Sequence, residues 1–344
     1  MKANTLRASD LRFLLALLLP ALTLHSVSHR PQTAGLVAFG VLFLIAALEA
    51  LLPALARSPA PHADGGTLRW VLRLFVPLEL ALLSAGATAA VNASWPTLVG
   101  VGIAVGFVTG AQGITFAHEL GHSRQRADRA LAWVLMTPVG YPQFMVEHFR
   151  GHHVRAATPA DPASARPGES LWAFLPRTLA GSLRSAWELE AAHLQRRRRG
   201  WAASPLPWAS GASVAWLLAL AVAGQWKLLA FWLVQSAFAV WLLETVNYIE
   251  HYGLQRRLQA DGRPEPFGVA HAWNADHVVS NSLLANLQRH SDHHVHAWKP
   301  FGQLEPLPGP QLPTGYAGCI LLAAVPPLWF LVMEPRRAGA AAPG

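Results

Sequence analysis

The chain has 344 residues, 52% of them hydrophobic and only 13% charged, with a formal net charge of +8. That balance excludes an ordinary water-soluble enzyme and a basic nucleic-acid binder, and it fits a membrane protein whose arginines gather in polar segments. The single cysteine, Cys319, excludes an intramolecular disulfide, a thiolate zinc site and a built-in iron–sulfur centre, so any electrons the protein needs come from another protein.

A helix needs about 20 apolar residues to cross a bilayer. Six stretches qualify: Leu11–Val27, Ala34–Ala56, Leu68–Val91, Pro96–Phe116, Pro207–Ala223 and Trp226–Val246. Lys2 and Arg7 precede the first without a small-residue cleavage site after it, which reads as a retained span and not a signal peptide. Arg57, Arg69 and Arg73 flank the gap after the second span, Arg124, Arg126 and Arg129 follow the fourth, and Arg196–Arg199 precede the fifth. The opposite loops are nearly free of charge, so the positive-inside rule places both termini in the cytoplasm. Residues 117–206 and 247–344 then form cytoplasmic segments of one membrane domain covering 1–344.

Between the spans, Leu131–Met145 is apolar but interrupted by Pro138, Gly140 and Pro142, which predicts a broken or re-entrant segment at the membrane face. Thr158–Gly168 is turn-rich and reads as a loop. Leu171–Arg199 has the pattern of an amphipathic helix on the inner leaflet. Leu258–Phe267 is a second polar loop. The segment Tyr316–Met333, split by Pro326-Pro327, is expected to pack against the cytosolic cap.

Nine of the 16 histidines fall in four short motifs. HELGH carries His118 and His122, EHFRGHH carries His148, His152 and His153, NYIEHYG carries His251, and LQRHSDHH carries His290, His293 and His294. Spacings of three and four residues put side chains on one helix face. Catalytic zinc takes three protein ligands and an open position, so nine imidazoles are too many for one ion and favour two. HELGH alone would fit a zinc protease with Glu119 as general base, but the surplus of histidines argues against it. Imidazoles at the mouth of an apolar helical bundle suit iron that activates O2 against a hydrophobic substrate. Glu119, Glu147, Glu250 and Asp292 each adjoin a motif histidine and are candidates to accept its second ring N–H. Asp161, His271, Asn274, Asp276 and His277 are weaker candidates. His25, His29, His62, His193 and His296 read as structural.

Taken in order, the four motifs resemble the signature set of membrane-bound alkane 1-monooxygenases, within the histidine-rich membrane di-iron desaturase and hydroxylase superfamily. The similarity extends through HHVRAATPADPASARPGESLWAFLPRTLAGSLRSAWELE and PQLPTGYAGCILLAAVPPLW, so it covers most of the chain after about Gly106. The resemblance implies an all-α integral membrane protein with six transmembrane helices and a cytoplasmic cap carrying a histidine-rich di-iron site. It implies His118, His122, His148, His152, His153, His251, His290, His293 and His294 as ligands of two iron ions. It further implies hydroxylation of the terminal carbon of medium-chain n-alkanes with O2, and electrons from rubredoxin, fed by an NADH-dependent reductase. The expected location is the bacterial inner membrane. Relatives that act on xylene or desaturate acyl chains are the alternatives. The chain departs from the usual pattern in HELGHSR, where a lysine commonly follows the second histidine, at Phe149, where asparagine is usual, and in VHAWKPFGQLEPLPG after the last motif.

Overall fold

The computed structural model describes residues 8–52, 55, 57–60 and 68–341. His62 and the end of the predicted second span lie outside them. The regular elements among the described residues are all helices, with two isolated β-bridges besides, and six helices are long and apolar enough to cross a membrane. Helix α1 (Leu18–His29) continues a 3-10 segment, Ala8–Leu17, and is followed by α2 (Ala34–Leu51), α3 (Arg69–Asn92) and α4 (Trp95–Val108). A π-helical segment, Thr109–Ile114, joins α4 to α5 (Thr115–Gly121), so the fourth span runs unbroken from Trp95 to Gly121. The fifth and sixth are α10 (Pro205–Val222) and α11 (Trp226–His251).

Helix starts are set by local chemistry. Ser94 accepts from the Thr97 N–H at 3.4 Å and Pro96 fills the first turn, where a missing N–H costs nothing. Ser204 begins α10 in the same way. In the membrane, close approach of helices replaces the hydrophobic drive. Gly102, Gly106 and Gly110 form a small-residue stripe on the fourth span that lies against α11. A methyl at Gly106 would come within 2.6 Å of the Gln235 carbonyl oxygen, and one at Gly110 within 2.7 Å of Ala239 Cα, so only glycine fits.

Leu131–Met145 is broken, as expected: α6 (Arg126–Val139) ends at Gly140, whose φ of 72°, in the left-handed region, stops the helix, Pro138 falls in its last turn, and helix resumes at Phe144. Asp128 holds the start of α6 to α3 through Arg73 at 2.7 Å, and its carboxyl stays below the usual range because Arg73, Ser123 and Arg69 outweigh the effect of burial. One expectation is corrected, that Tyr316–Met333 packs against the cytosolic cap. Helix α14 (Tyr316–Ala323) packs on the membrane helices α2 and α11, and α15 (Pro326–Ala341) packs through Trp329 against Tyr248 and Tyr252.

The remaining elements carry the site. They are α7 (Phe144–Glu147), a π-helical segment His148–His152, α8 (His153–Arg155), the amphipathic α9 (Leu171–Arg196), α12 (Val278–Leu283) and α13 (His290–Val295). Thr158–Gly168 is a run of turns, as its composition predicts.

Candidate metal centre

The spans themselves deliver two of the motif histidines. The fourth continues five residues past its predicted end at Phe116 and carries His118 on α5, while α11 continues to His251. The turn after α7 and the short α13 supply the rest. All nine motif histidines meet in two groups, His118, His122, His148, His153 and His293 in one, and His152, His251, His290 and His294 in the other.

Local geometry decides the division. His148 and His153 are five residues apart, a spacing that would diverge on an α-helix. The π-helical segment His148–His152 wraps i to i+5, and brings their Nε2 atoms within 3.0 Å. On α13 the i, i+4 pair His290 and His294 faces the group of four, while His293 turns to the group of five. Inside the larger group Nε2 of His118 lies 2.9 Å from that of His293 and 3.2 Å from that of His122, and His153 and His293 are 3.2 Å apart. In the smaller, His290 and His251 are 3.0 Å apart. Donors at right angles around an ion lie about 3 Å apart when the imidazole–metal bond is about 2.1 Å. The spacing fits a metal ion in each group.

Protonation fits as well, because only neutral imidazole has a lone pair to give. Burial, reinforced by neighbouring imidazoles, pushes His122, His148, His153, His290, His293 and His294 well below the usual histidine range. His152 is the exception. Burial alone would lower it, but Asp161 raises it, with Asp161 Oδ2 2.9 Å from His152 Nδ1. Burial would raise Asp161, yet His152 and the Ser164 hydroxyl hold it below the usual carboxylate range. This pairing fixes Nδ1 as the protonated nitrogen and leaves Nε2 for metal.

Acceptors also lie near other outward ring nitrogens, though the carboxylates make no hydrogen bond to them. Glu250 Oε1 lies 3.2 Å from His290 Nδ1 and accepts the Tyr316 hydroxyl at 2.6 Å. Glu119 Oε1 lies 3.4 Å from His118 Nδ1 and 4.0 Å from His293 Nδ1, and His251 Nδ1 faces the His271 carbonyl at 3.3 Å. Three expected partners are not brought to a clustered ring. Glu147 pairs with Arg155 at 2.7 Å and accepts from Ser185, because its side chain turns toward α9. Asp292 is taken by Lys299 and by His296, each within 2.7 Å. His277 joins neither group. Asn274 and Asp276 serve α13 indirectly: Asn274 Oδ1 accepts the Ser291 N–H at 2.8 Å, and Asp276 accepts Arg289 Nε at 2.8 Å. His25 and His29 stack on each other and His296 binds Asp292, in line with structural roles.

Sequence reasoning missed Tyr316, which no motif signalled, and Arg289, which sits unnoticed inside LQRHSDHH. Arg289 is 1% exposed and also donates to the Leu304 and Pro59 carbonyls, fastening α13 to two loops. It missed the cavity too. An apolar cavity begins at His118, His148 and His290 and is walled by Leu19, Phe107 and Leu242 of the membrane helices. Phe107 and His118 lie on one span, about 16 Å apart at 1.5 Å per residue. The cavity reaches both histidine groups, and a hydrocarbon chain suits its walls.

Replacing Asp161 with asparagine keeps the volume and removes the charge that orients His152. Metal affinity of the group of four is expected to fall about 10–100-fold, read by competition with a chelator. Unchanged affinity would contradict that role.

The sequence matches the fatty acid desaturase family over residues 93–322. It is 41% identical over 275 residues to alkane 1-monooxygenase 1 of Pseudomonas aeruginosa, covering 79% of this chain and 69% of that protein. To alkane 1-monooxygenase 2 of the same organism it is 40% identical over 310 residues, covering 87% and 82%. The xylene/toluene monooxygenase hydroxylase component XylM of Pseudomonas putida is more distant, 30% identical over 240 residues, with 68% of this chain and 63% of that protein covered.

Proposed function

This chain belongs to the fatty acid desaturase family and, within it, to the alkane 1-monooxygenases, and from that membership we propose that it converts medium-chain n-alkanes to 1-alkanols, using two irons, O2 and electrons from rubredoxin. It is an integral membrane monooxygenase that hydroxylates alkanes. The observation that carries the finer reading is the meeting of nine histidines, from four distant motifs, at one end of an apolar cavity among membrane helices.

His118, His122, His148, His153 and His293 would hold one iron, and His152, His251, His290 and His294 the other. Bound iron supplies the reduction of O2 and the oxidising power needed against an unactivated C–H bond. The chain's own residues do the selecting. Leu19, Phe107 and Leu242 bind the hydrocarbon and keep water out, and the histidines His118, His148 and His290 meet the part of the chain that reaches them. Asp161, Glu250 and Glu119 orient the rings and offset the charge of the ions. Glu119 faces two ring nitrogens, a position that suits an orienting partner and not the free general base of a HELGH protease. The arginine-rich loops support a site and termini on the cytoplasmic side of the inner membrane, where rubredoxin and its NADH-dependent reductase are soluble.

The test is product identity. Protein in lipid nanodiscs, given rubredoxin, its reductase, NADH and O2, is expected to turn n-octane into 1-octanol. Oxidation of p-xylene with n-octane left untouched would move the assignment to alkyl-aromatic substrates.

A further inference from the structure

Glu244 of α11 is buried at 1% exposure within the membrane, yet it is fully engaged. Tyr141 donates its hydroxyl to Oε1 at 2.8 Å, Thr178 donates to Oε2 at 2.8 Å, and the Asn247 side-chain amide donates through Nδ2 to Oε2 at 3.2 Å. Nothing in the metal chemistry requires this cluster of Tyr141, Thr178, Glu244 and Asn247. One turn along the same helix, Asn247 lines both the apolar cavity, with His118 and His148, and the small space that Glu244 borders.

The carboxylate decides which end of the amide is free. An NH2 group can donate to it, whereas a carbonyl oxygen there would face an acceptor. Asn247 is therefore fixed with Nδ2 toward Glu244, and its Oδ1 accepts no hydrogen bond among the described residues although the side chain is 7% exposed. The other neutral polar groups bordering the cavity have already spent their protons inward. Thr115 donates to the Ala111 carbonyl, Ser280 to Glu49 and Tyr316 to Glu250. An acceptor left empty beside an apolar cavity is unfavourable, and an alkane has no donor to fill it.

We propose that Asn247, oriented by the Tyr141–Glu244–Thr178 group, is a binding site for the hydroxyl of a primary alcohol at the metal end of the cavity, with Oδ1 accepting the alcohol proton. The inference rests on the reading of the cavity as the substrate site. It makes Asn247 a product-recognition residue. The site prefers a ligand that can donate at its end over one that can only accept.

The experiment is equilibrium binding to the metal-loaded, full-length protein in nanodiscs, without reductant so that nothing turns over. The probes are radiolabelled 1-octanol, n-octane and an n-alkyl methyl ether of matched length. Wild-type protein is expected to bind the alcohol about fivefold more tightly than the ether, the worth of one hydrogen bond. Asn247→Leu is expected to erase that difference while n-octane binds as before. Equal binding of alcohol and ether by the wild type would overturn the inference even if the variant does not fold. So would a preference that survives in a folded Asn247→Leu protein. If the wild type binds neither octane nor octanol in this cavity, the substrate-site reading falls first and the inference with it.

Discussion

Replacing His290 with alanine is expected to abolish alkane hydroxylation while the protein still inserts in the membrane. His290 belongs to the group of four, 3.0 Å from His251, so its loss leaves three imidazoles and a gap where adjacent donors met. Removing an outer partner of a ligand already costs about 10–100-fold, and removing the ligand itself should cost more than about 100-fold. The two-group arrangement adds a sharper expectation. His290→Ala should lose metal from the group of four and keep it in the group of five, and His293→Ala should do the reverse. Full activity in either variant would sink the ligand assignment.

Absence of the electron carrier should have an effect as large. Cys319, the chain's one cysteine, is fully buried on α14, where its thiol donates to the Thr314 carbonyl and burial pushes it up to about 12. It is a neutral thiol at any working pH, and one sulfur cannot build an iron–sulfur relay. Purified protein supplied with NADH and O2 alone is therefore expected to form no 1-octanol above background, and rubredoxin with its reductase should restore turnover. Sustained product formation from NADH without any added protein would refute the external-carrier reading.

Much of this was legible in the residues because two of the signals are local. Hydropathy over about 20 residues is enough to find a span, and four motifs dense in histidine are enough to find ligands. What escaped depended on contacts between distant segments. The helical spacing of EHFRGHH suggested one face, but the π-helical turn sends His148 and His153 to one group and His152 to the other. Adjacency in sequence made Glu147 and Asp292 candidate partners, yet Arg155 and Lys299 claim them. Asp161, nine residues from His152 and ranked lower, makes the shortest carboxylate contact to a clustered histidine because the turns after Ala156 fold it back. Pro138 and Gly140 marked the break within Leu131–Met145 because such breakers act locally, and α6 ends there. Tyr316 and Asn247 carry no sequence signal of their own. Their meaning comes from Glu250 and Glu244 and from the cavity they share.

Metal content of the detergent-purified protein, measured by elemental analysis, tests the central claim most directly. Two histidine groups of matching donor spacing predict about two irons per chain. One zinc and no iron, in protein shown to have lost no metal during purification, would contradict the account and return HELGH to the hydrolases.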